Sequence, residues 1–175
     1  EGLWKLKVSV NVSGQQFKAE GYCESVSRAL DDTGLQPEQL MLEMTESLAM
    51  SDVSVSIEVM EKLKRLRVGL SIDDFGTGYS SLSYLKRFPI DELKIDRSFI
   101  IGIPENKDEV QIVQAIIAMA KALRLSVVIE GVETQPQLNL LEGTPSDLIQ
   151  GYYFSKPLPA EEFERYVASM EVVTI

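Results

Sequence analysis

The segment SIDDFGTGYSSLSYL, from Ser71 to Leu85, places two aspartates side by side at the end of an apolar run, then glycines and hydroxyls. Adjacent carboxylates repel each other, and strand neighbours point to opposite faces. Asp73 and Asp74 can therefore serve one site only if the strand ends at Asp73 and the backbone turns at Asp74, which the glycines after Phe75 permit. Similar groups close every other apolar run: Asn11, Glu43 with Glu46, Lys94 with Asp96, Glu130 with Glu133, and Gln150. Singly, each has a plain structural role available. Asp74 can open an Asx-turn, Asp96 can cap a helix, and Glu43 can pair with Lys94. Gathered in one place, so much negative charge would be very costly to bury without cations.

The chain has no histidine and one cysteine, Cys23. That removes Ser-His and Cys-His nucleophile systems and the usual imidazole zinc sites. Oxygen ligands alone suit Mg²⁺, Mn²⁺ or Ca²⁺ rather than zinc or copper. An aspartate bridging two such ions about 3.5–4 Å apart would clamp a phosphate for in-line attack. A formal net charge of −10 argues against binding long nucleic acid. It still permits a small anionic ligand if metal ions supply positive charge.

Cys23 lies in a helical pattern as a packing or surface residue; alone it forms no internal disulfide, which suits a reducing compartment. No apolar stretch reaches the roughly 18 residues that span a bilayer, and no signal-peptide pattern opens the sequence. A cytoplasmic location is expected, either of a free protein or of the cytoplasmic domain of a larger, membrane-anchored one. Two motif-like stretches are discounted. Gly76-Thr-Gly78-Tyr-Ser-Ser has serine at the third glycine position of a dinucleotide fingerprint and lacks the acidic residue after a second strand. Asn11-Val-Ser13 is a glycosylation sequon only by coincidence, because it closes a core strand.

The elements that must carry these groups repeat one unit. An apolar or β-branched run ends in polar residues, and an amphipathic segment follows. The expected strands are Lys7 to Ser13, Leu40 to Glu46, Leu70 to Gly76, Leu93 to Phe99, Val127 to Glu133 and Leu148 to Phe154. Helices are expected over Ala19 to Thr33, stopped by Gly34, and over Asp52 to Val68, stopped by Gly69 in a left-handed conformation. Another is expected over Glu105 to Leu125, with Val110, Val113, Ile117 and Ala120 on its core stripe and Asn106 at its start. Shorter helices follow Ser80 and span Pro136 to Leu141. A closing helix from Pro159 to Met170 should turn Phe163, Tyr166 and Val167 inward. Strict alternation with strands apolar on both faces implies a parallel sheet covered by helices. An open sheet would place ligand groups at a switch point between two or three strands. Convergence of all strand ends on one face is barrel behaviour. A complete (β/α) barrel has eight units, so two βα units are expected to precede this sequence.

Six stretches, NVSGQQF, LEMTES, SIDDFGTGYSSLSYL, LKIDRSFI, VIEGVET and QGYYFSKPLP, resemble in order and spacing the EAL-domain family, bacterial phosphodiesterases of cyclic di-GMP. The resemblance runs from Val8 to Val167. It implies an α/β fold, a modified TIM (β/α) barrel here incomplete with six of eight units, as a partial EAL domain over residues 1–175. It implies a two-metal site with Mg²⁺ or Mn²⁺, in which Asn11 and Glu43 match first-metal ligands, Asp73 the bridging ligand and Asp74 the second-metal ligand. Lys94 resembles the lysine that orients the attacking water, and Asp96 its neighbour in that motif. Glu130 matches a glutamate that serves as metal ligand or general base. Gln150 resembles the glutamine of the second metal's water shell, and Glu46 the anchor of the loop after Asp74, with Glu133 as a further loop-stabilising residue. The implied reaction opens one phosphodiester bond of cyclic di-GMP to give linear pGpG. The implied partners are a second copy, joined through the loop Phe75 to Ser81, and fused sensory or GGDEF-type domains outside this sequence.

The Glu-Ala-Leu motif that names the family is absent here, and with it a metal-ligand glutamate and a substrate-binding arginine. The sequence therefore reads as a fragment matching strands three to eight, expected to turn over little by itself. Intact downstream motifs favour an enzyme. A non-catalytic receptor for the dinucleotide or a protein-interaction module is the alternative, and an unrelated Mg²⁺-dependent barrel lyase a remoter one.

Overall fold

A computed structural model of the chain describes residues 6–78 and 82–169. Six parallel strands form one sheet in sequence order: β1 (Val8–Asn11), β2 (Leu40–Thr45), β3 (Gly69–Phe75), β4 (Glu92–Ile95), β5 (Ser126–Ile129) and β6 (Leu148–Ile149). Helices α1 (Gly14–Phe17) and α2 (Tyr22–Thr33) follow β1, and α3 (Glu46–Ser51) and α4 (Val53–Arg65) follow β2. Then α5 (Leu82–Leu85) follows β3, α6 (Lys107–Ala122) follows β4, α7 (Gln135–Leu141) follows β5, and α8 (Ala160–Ser169) follows β6. Sequential parallel neighbours joined by helices curl the sheet into an incomplete (β/α) barrel, as expected.

Side-chain caps start several of the helices. Thr45 accepts from the Leu48 amide, Asp52 from that of Val55, Asn106 from those of Asp108 and Glu109, and Thr134 from that of Gln137. Each satisfies amide groups that a helix start leaves unpaired. The Thr45 cap explains a short helix that periodicity missed: the expected strand to Glu46 gives way at that residue to α3.

The two faces of the sheet differ. Leu42, Met44, Leu70, Ile72, Leu93, Ile95, Val127 and Ile129 face the helices and are buried. Each contributes about 1.5–3 kcal/mol of hydrophobic stabilisation. The alternate positions Glu43, Ser71, Glu92 and Lys94 face inward, and all four are buried polar groups. The helix face is uniformly apolar and the inner face is mixed, with Met41 and Val128 buried among these polar groups, which corrects the expectation of two apolar faces. They form a hollow of about 560 Å³, lined with Ser9, Met41 and Val128.

Three further details depart from expectation. The left-handed residue after α4 is Arg67 (φ 69°), not Gly69. Gly69 opens β3, where a Cβ would lie 2.8 Å from the Met41 sulfur. In α8, Phe163 is 47% exposed and no residue is buried, so its apolar side is not part of the core; Met170 lies outside the described residues. At the two sheet edges Val8, Val10 and Leu148 are exposed. No helix among the described residues is long and apolar enough to cross a membrane.

Candidate active site

The carboxyl ends of β2 to β5 deliver their acidic side chains around one ammonium group. Lys94 Nζ stands 2.6 Å from Glu43 Oε2, 2.8 Å from Glu130 Oε1 and 3.3 Å from Asp73 Oδ1. Glu43 and Lys94 are both buried. Desolvation alone would push the lysine pKa down. Its hydrogen bonds to Glu130 and Glu43, with the charge of Asp73, outweigh that and raise it, so Lys94 is firmly protonated. Burial pushes the Glu130 carboxyl above its ordinary range; Lys94 pulls it back, while Asp73 and Glu43 push it further up. Three carboxylates on one cation leave the cluster net negative.

Asp74 adds to that imbalance. The β3–β4 ladder shifts register between Ile72 and Phe75, and inside the shift Asp74 takes a left-handed conformation with φ 54°. Aspartate tolerates that region better than most residues. The turn is therefore at Asp74, as expected, although the strand resumes to Phe75. The Asp74 amide donates to Asp73 Oδ1 at 3.0 Å. Burial raises the Asp74 pKa, and the charges of Asp73 and Asp96 raise it further. Beyond it, Gly76 also has positive φ (97°), and a Cβ there would lie 2.7 Å from the Phe99 ring.

Glu46 is buried at the start of α3, and its Oε2 accepts from the Gly76 amide at 2.9 Å. Its Oε1 has no hydrogen-bond partner among the described residues and lies on the side of Gly78. Residues 79–81 of the expected dimer loop are outside the described residues. Asp96 accepts from the Ser98 amide at 2.9 Å and caps the turn Arg97–Phe99. Asn11 is exposed at the end of β1, in register with Glu43.

Glu133 pairs with Arg97 at 2.9 Å. That ion pair is partly exposed, and Arg97 crosses Gly131, whose φ is 74°. Gln150 is exposed; its amide donates to Ile129 and its carbonyl accepts from Val132. It lies with Arg97, Glu130 and Glu133 on a cavity of about 440 Å³ walled by Tyr152, Lys156 and Pro157. Lys156 sits over the Tyr152 ring at 5.8 Å. Arg97, Tyr152 and Lys156 were not picked out from sequence. Tyr152 and Lys156 lie in QGYYFSKPLP, which follows a strand end, and Arg97 lies in LKIDRSFI.

Every donor in the cluster is oxygen except Lys94, which fits a hard divalent cation. Among the described residues, no three acidic, histidine or cysteine side chains stand close enough together to hold an ion by themselves. The ammonium of Lys94 holds the centre of the cluster. Glu43, Asp73 and Glu130 converge on that one positive charge.

Fold and mouth together define a class: a parallel (β/α) barrel with an acidic, lysine-centred site at the carboxyl ends of its strands. The EAL-domain model matches residues 3–157, and the chain belongs to the EAL family. It is 47% identical over 166 residues to the cyclic di-GMP phosphodiesterase NbdA of Pseudomonas aeruginosa, covering 95% of this chain and 21% of NbdA. It superposes on the phosphodiesterase PaMucR in complex with c-di-GMP with a TM-score of 0.89 and 46% identity, over 93% of this chain and 66% of that one. The EAL domain of Mycobacterium smegmatis DcpA gives a TM-score of 0.88 and 39% identity, over 93% of this chain and 73% of that domain. The chain thus spans about a fifth of the length of NbdA.

Proposed function

We propose that the protein is a cyclic di-GMP phosphodiesterase that uses Mg²⁺ or Mn²⁺ and releases linear pGpG. One observation carries this: Glu43, Asp73 and Glu130 converge within 3.3 Å of a single cationic centre at the barrel mouth. The naming of NbdA as a phosphodiesterase and the c-di-GMP complex of PaMucR support the substrate. Asn11, Glu43, Asp73, Asp74 and Glu130 would hold the ions. Bound there, divalent ions lower the pKa of a water and neutralise charge on the phosphate.

The remaining roles belong to this chain's side chains. Lys94, held protonated by its carboxylate partners, cannot act as a base near neutral pH and instead donates a hydrogen bond to orient the attacking water. Glu130, made more basic by burial, accepts the water's proton. The water oxygen bonds to phosphorus as the P–O3′ bond breaks, and the departing O3′ takes a proton from solvent to leave as a hydroxyl. Asp96 shapes the turn that follows Lys94, and Gln150 and Arg97 face the cavity beside Glu130. A homodimer through the loop after Asp74, companion domains and a cytoplasmic location complete the proposal.

A second reading has its own support. Lys94 already satisfies three carboxylates, and no group of three acids is poised for an ion among the described residues. Such a cluster suits a receptor that binds the dinucleotide without cleaving it. Incubating the full-length protein with cyclic di-GMP and Mg²⁺ or Mn²⁺ separates the two. Appearance of pGpG that a chelator abolishes is the expected result; bound, uncleaved dinucleotide would establish the receptor.

A further inference from the structure

Two segments of the chain are built alike, and the proposed chemistry uses only one end of each. In the first, α4 ends near Lys64, Arg67 is left-handed (φ 69°), and β3 runs to Asp73 followed by left-handed Asp74 (φ 54°). In the second, α6 ends near Lys121, Arg124 is left-handed (φ 63°), and β5 leads to Glu130 followed by left-handed Gly131 (φ 74°). An aspartate then opens the next strand in each: Asp91 before β4 and Asp147 before β6.

Both aspartates make the same three bonds. The Asp91 amide donates to Leu70 O at 2.9 Å, Asp91 Oδ2 accepts from the Leu70 amide at 2.9 Å, and Lys64 Nζ pairs with that carboxylate at 2.6 Å. The Asp147 amide donates to Val127 O at 3.0 Å, its Oδ2 accepts from the Val127 amide at 2.6 Å, and Lys121 pairs with it. Each side chain thereby supplies a ladder bond where the strand has not yet begun. Three residues further on, the same strands deliver Lys94 and Gln150 to the mouth.

β6 has few other contacts to set its register. β4 is held on its other side by four registered pairs with β5, from Glu92 with Ser126 to Ile95 with Ile129, and Asp91 acts there together with that ladder. The β5–β6 ladder has two registered pairs, Val128 with Leu148 and Ile129 with Ile149. The β3–β4 ladder pairs Ser71 with Glu92 and Ile72 with Leu93 before its shift at Asp73 and Asp74. A one-residue slip would turn Lys94 from the hollow to the helix face. We propose that Asp91 and Asp147 are positioning residues of the active site, acting across about 10 Å of strand to place Lys94 and Gln150. The activity arm of this proposal rests on the phosphodiesterase reading.

The test uses Asp91→Asn and Asp147→Asn in the full-length protein, with amide hydrogen exchange and steady-state hydrolysis of cyclic di-GMP. Asp91→Asn should raise exchange about tenfold or more at residues 94–96, and Asp147→Asn at 149–151, with α2 unchanged. Turnover should fall about tenfold with KM within about twofold, as misplacing a catalytic group predicts. Lys64→Met and Lys121→Met keep the carboxylate–backbone bond; they should give the same pattern more weakly, and they carry the test if an asparagine variant does not fold. Unchanged exchange at both strand ends, or an equal rise everywhere including α2, would overturn the proposal. If the wild-type protein hydrolyses nothing, the phosphodiesterase reading fails, and the exchange pattern still decides the positioning role.

Discussion

The two ends of this barrel use the same residue types to opposite purposes. At the base, each aspartate has its own lysine and a backbone amide, as in Asp91 with Lys64 and Leu70. At the mouth, three carboxylates share Lys94, and Asp74 and Asp96 stand nearby with no lysine of their own among the described residues. The aspartate–lysine pairs of the base are one-to-one and half exposed, beside a buried Glu92; the Lys94 cluster at the mouth is largely buried and holds more carboxylates than cations. The surplus lies at the carboxyl ends of the strands, where barrels of this kind build their ligand sites.

Lys94→Met is the most drastic way to break the comparison. It leaves Glu43, Asp73 and Glu130 facing one another without their cation. Removing one partner of a buried ion pair costs about 3–5 kcal/mol, so denaturant unfolding should show a loss of that order. Hydrolysis should fall by about 10²–10⁴ if the ammonium orients the water. Near-normal turnover in a folded Lys94→Met protein would assign the lysine to structure alone.

Asp74→Asn should separate function from stability in the other direction. Asparagine also tolerates the left-handed conformation at φ 54°. The folded protein disfavours the charged form of Asp74, through burial first and then Asp73 and Asp96. Neutralising it should raise the melting temperature while hydrolysis drops about tenfold or more, the trade-off expected at a functional site. A fall in both would mean that Asp74 stabilises the loop and that the mouth is not strained as described.

Glu46 tests how the loop after Asp74 is held. Glu46→Ala removes the acceptor of the Gly76 amide. Exchange at Gly76 should rise, and stability should fall by about 1–3 kcal/mol if the lost bond outweighs relief of the unpartnered Oε1. Stability within error of wild type would show that the two effects cancel.

Much of this was legible in the sequence because it rests on local rules. The alternation of runs located all six strands, and their polar ends named the residues now found around Lys94. What stayed hidden depends on tertiary neighbours. Gly69 reads as a helix stop, yet its role is to leave room for Met41, a contact across strands. Phe163 has the period of a core residue, but with Tyr166 it lines the open cavity beside Glu130 rather than the core. Glu133 follows a strand as Glu46 does, and its partner Arg97 is a tertiary neighbour that only the folded chain brings within 2.9 Å. Arg97 and Lys156 sit on the cavity as surface-type residues, and no spacing distinguishes them from solvated charge.

The smallest expected effect sits at the base, and it sharpens the comparison by its pH dependence. Burial alone would raise the Asp147 pKa, but Lys121 and the Val127 amide outweigh it and hold the carboxyl below its ordinary value of 3.8. A carboxylate with a depressed pKa stabilises the fold above its unfolded value and loses that contribution as pH falls through the folded value. Wild type should thus exceed Asp147→Asn in stability at neutral pH, and the gap should close as pH drops below about 4. Because the lysine partner is part exposed, the ion-pair share should be at most about 1 kcal/mol and shrink with added salt. Urea titrations at pH 7 and pH 3 read both. A gap that persists unchanged at pH 3 would show that hydrogen bonding, which asparagine alters through geometry, rather than charge holds β6 to β5.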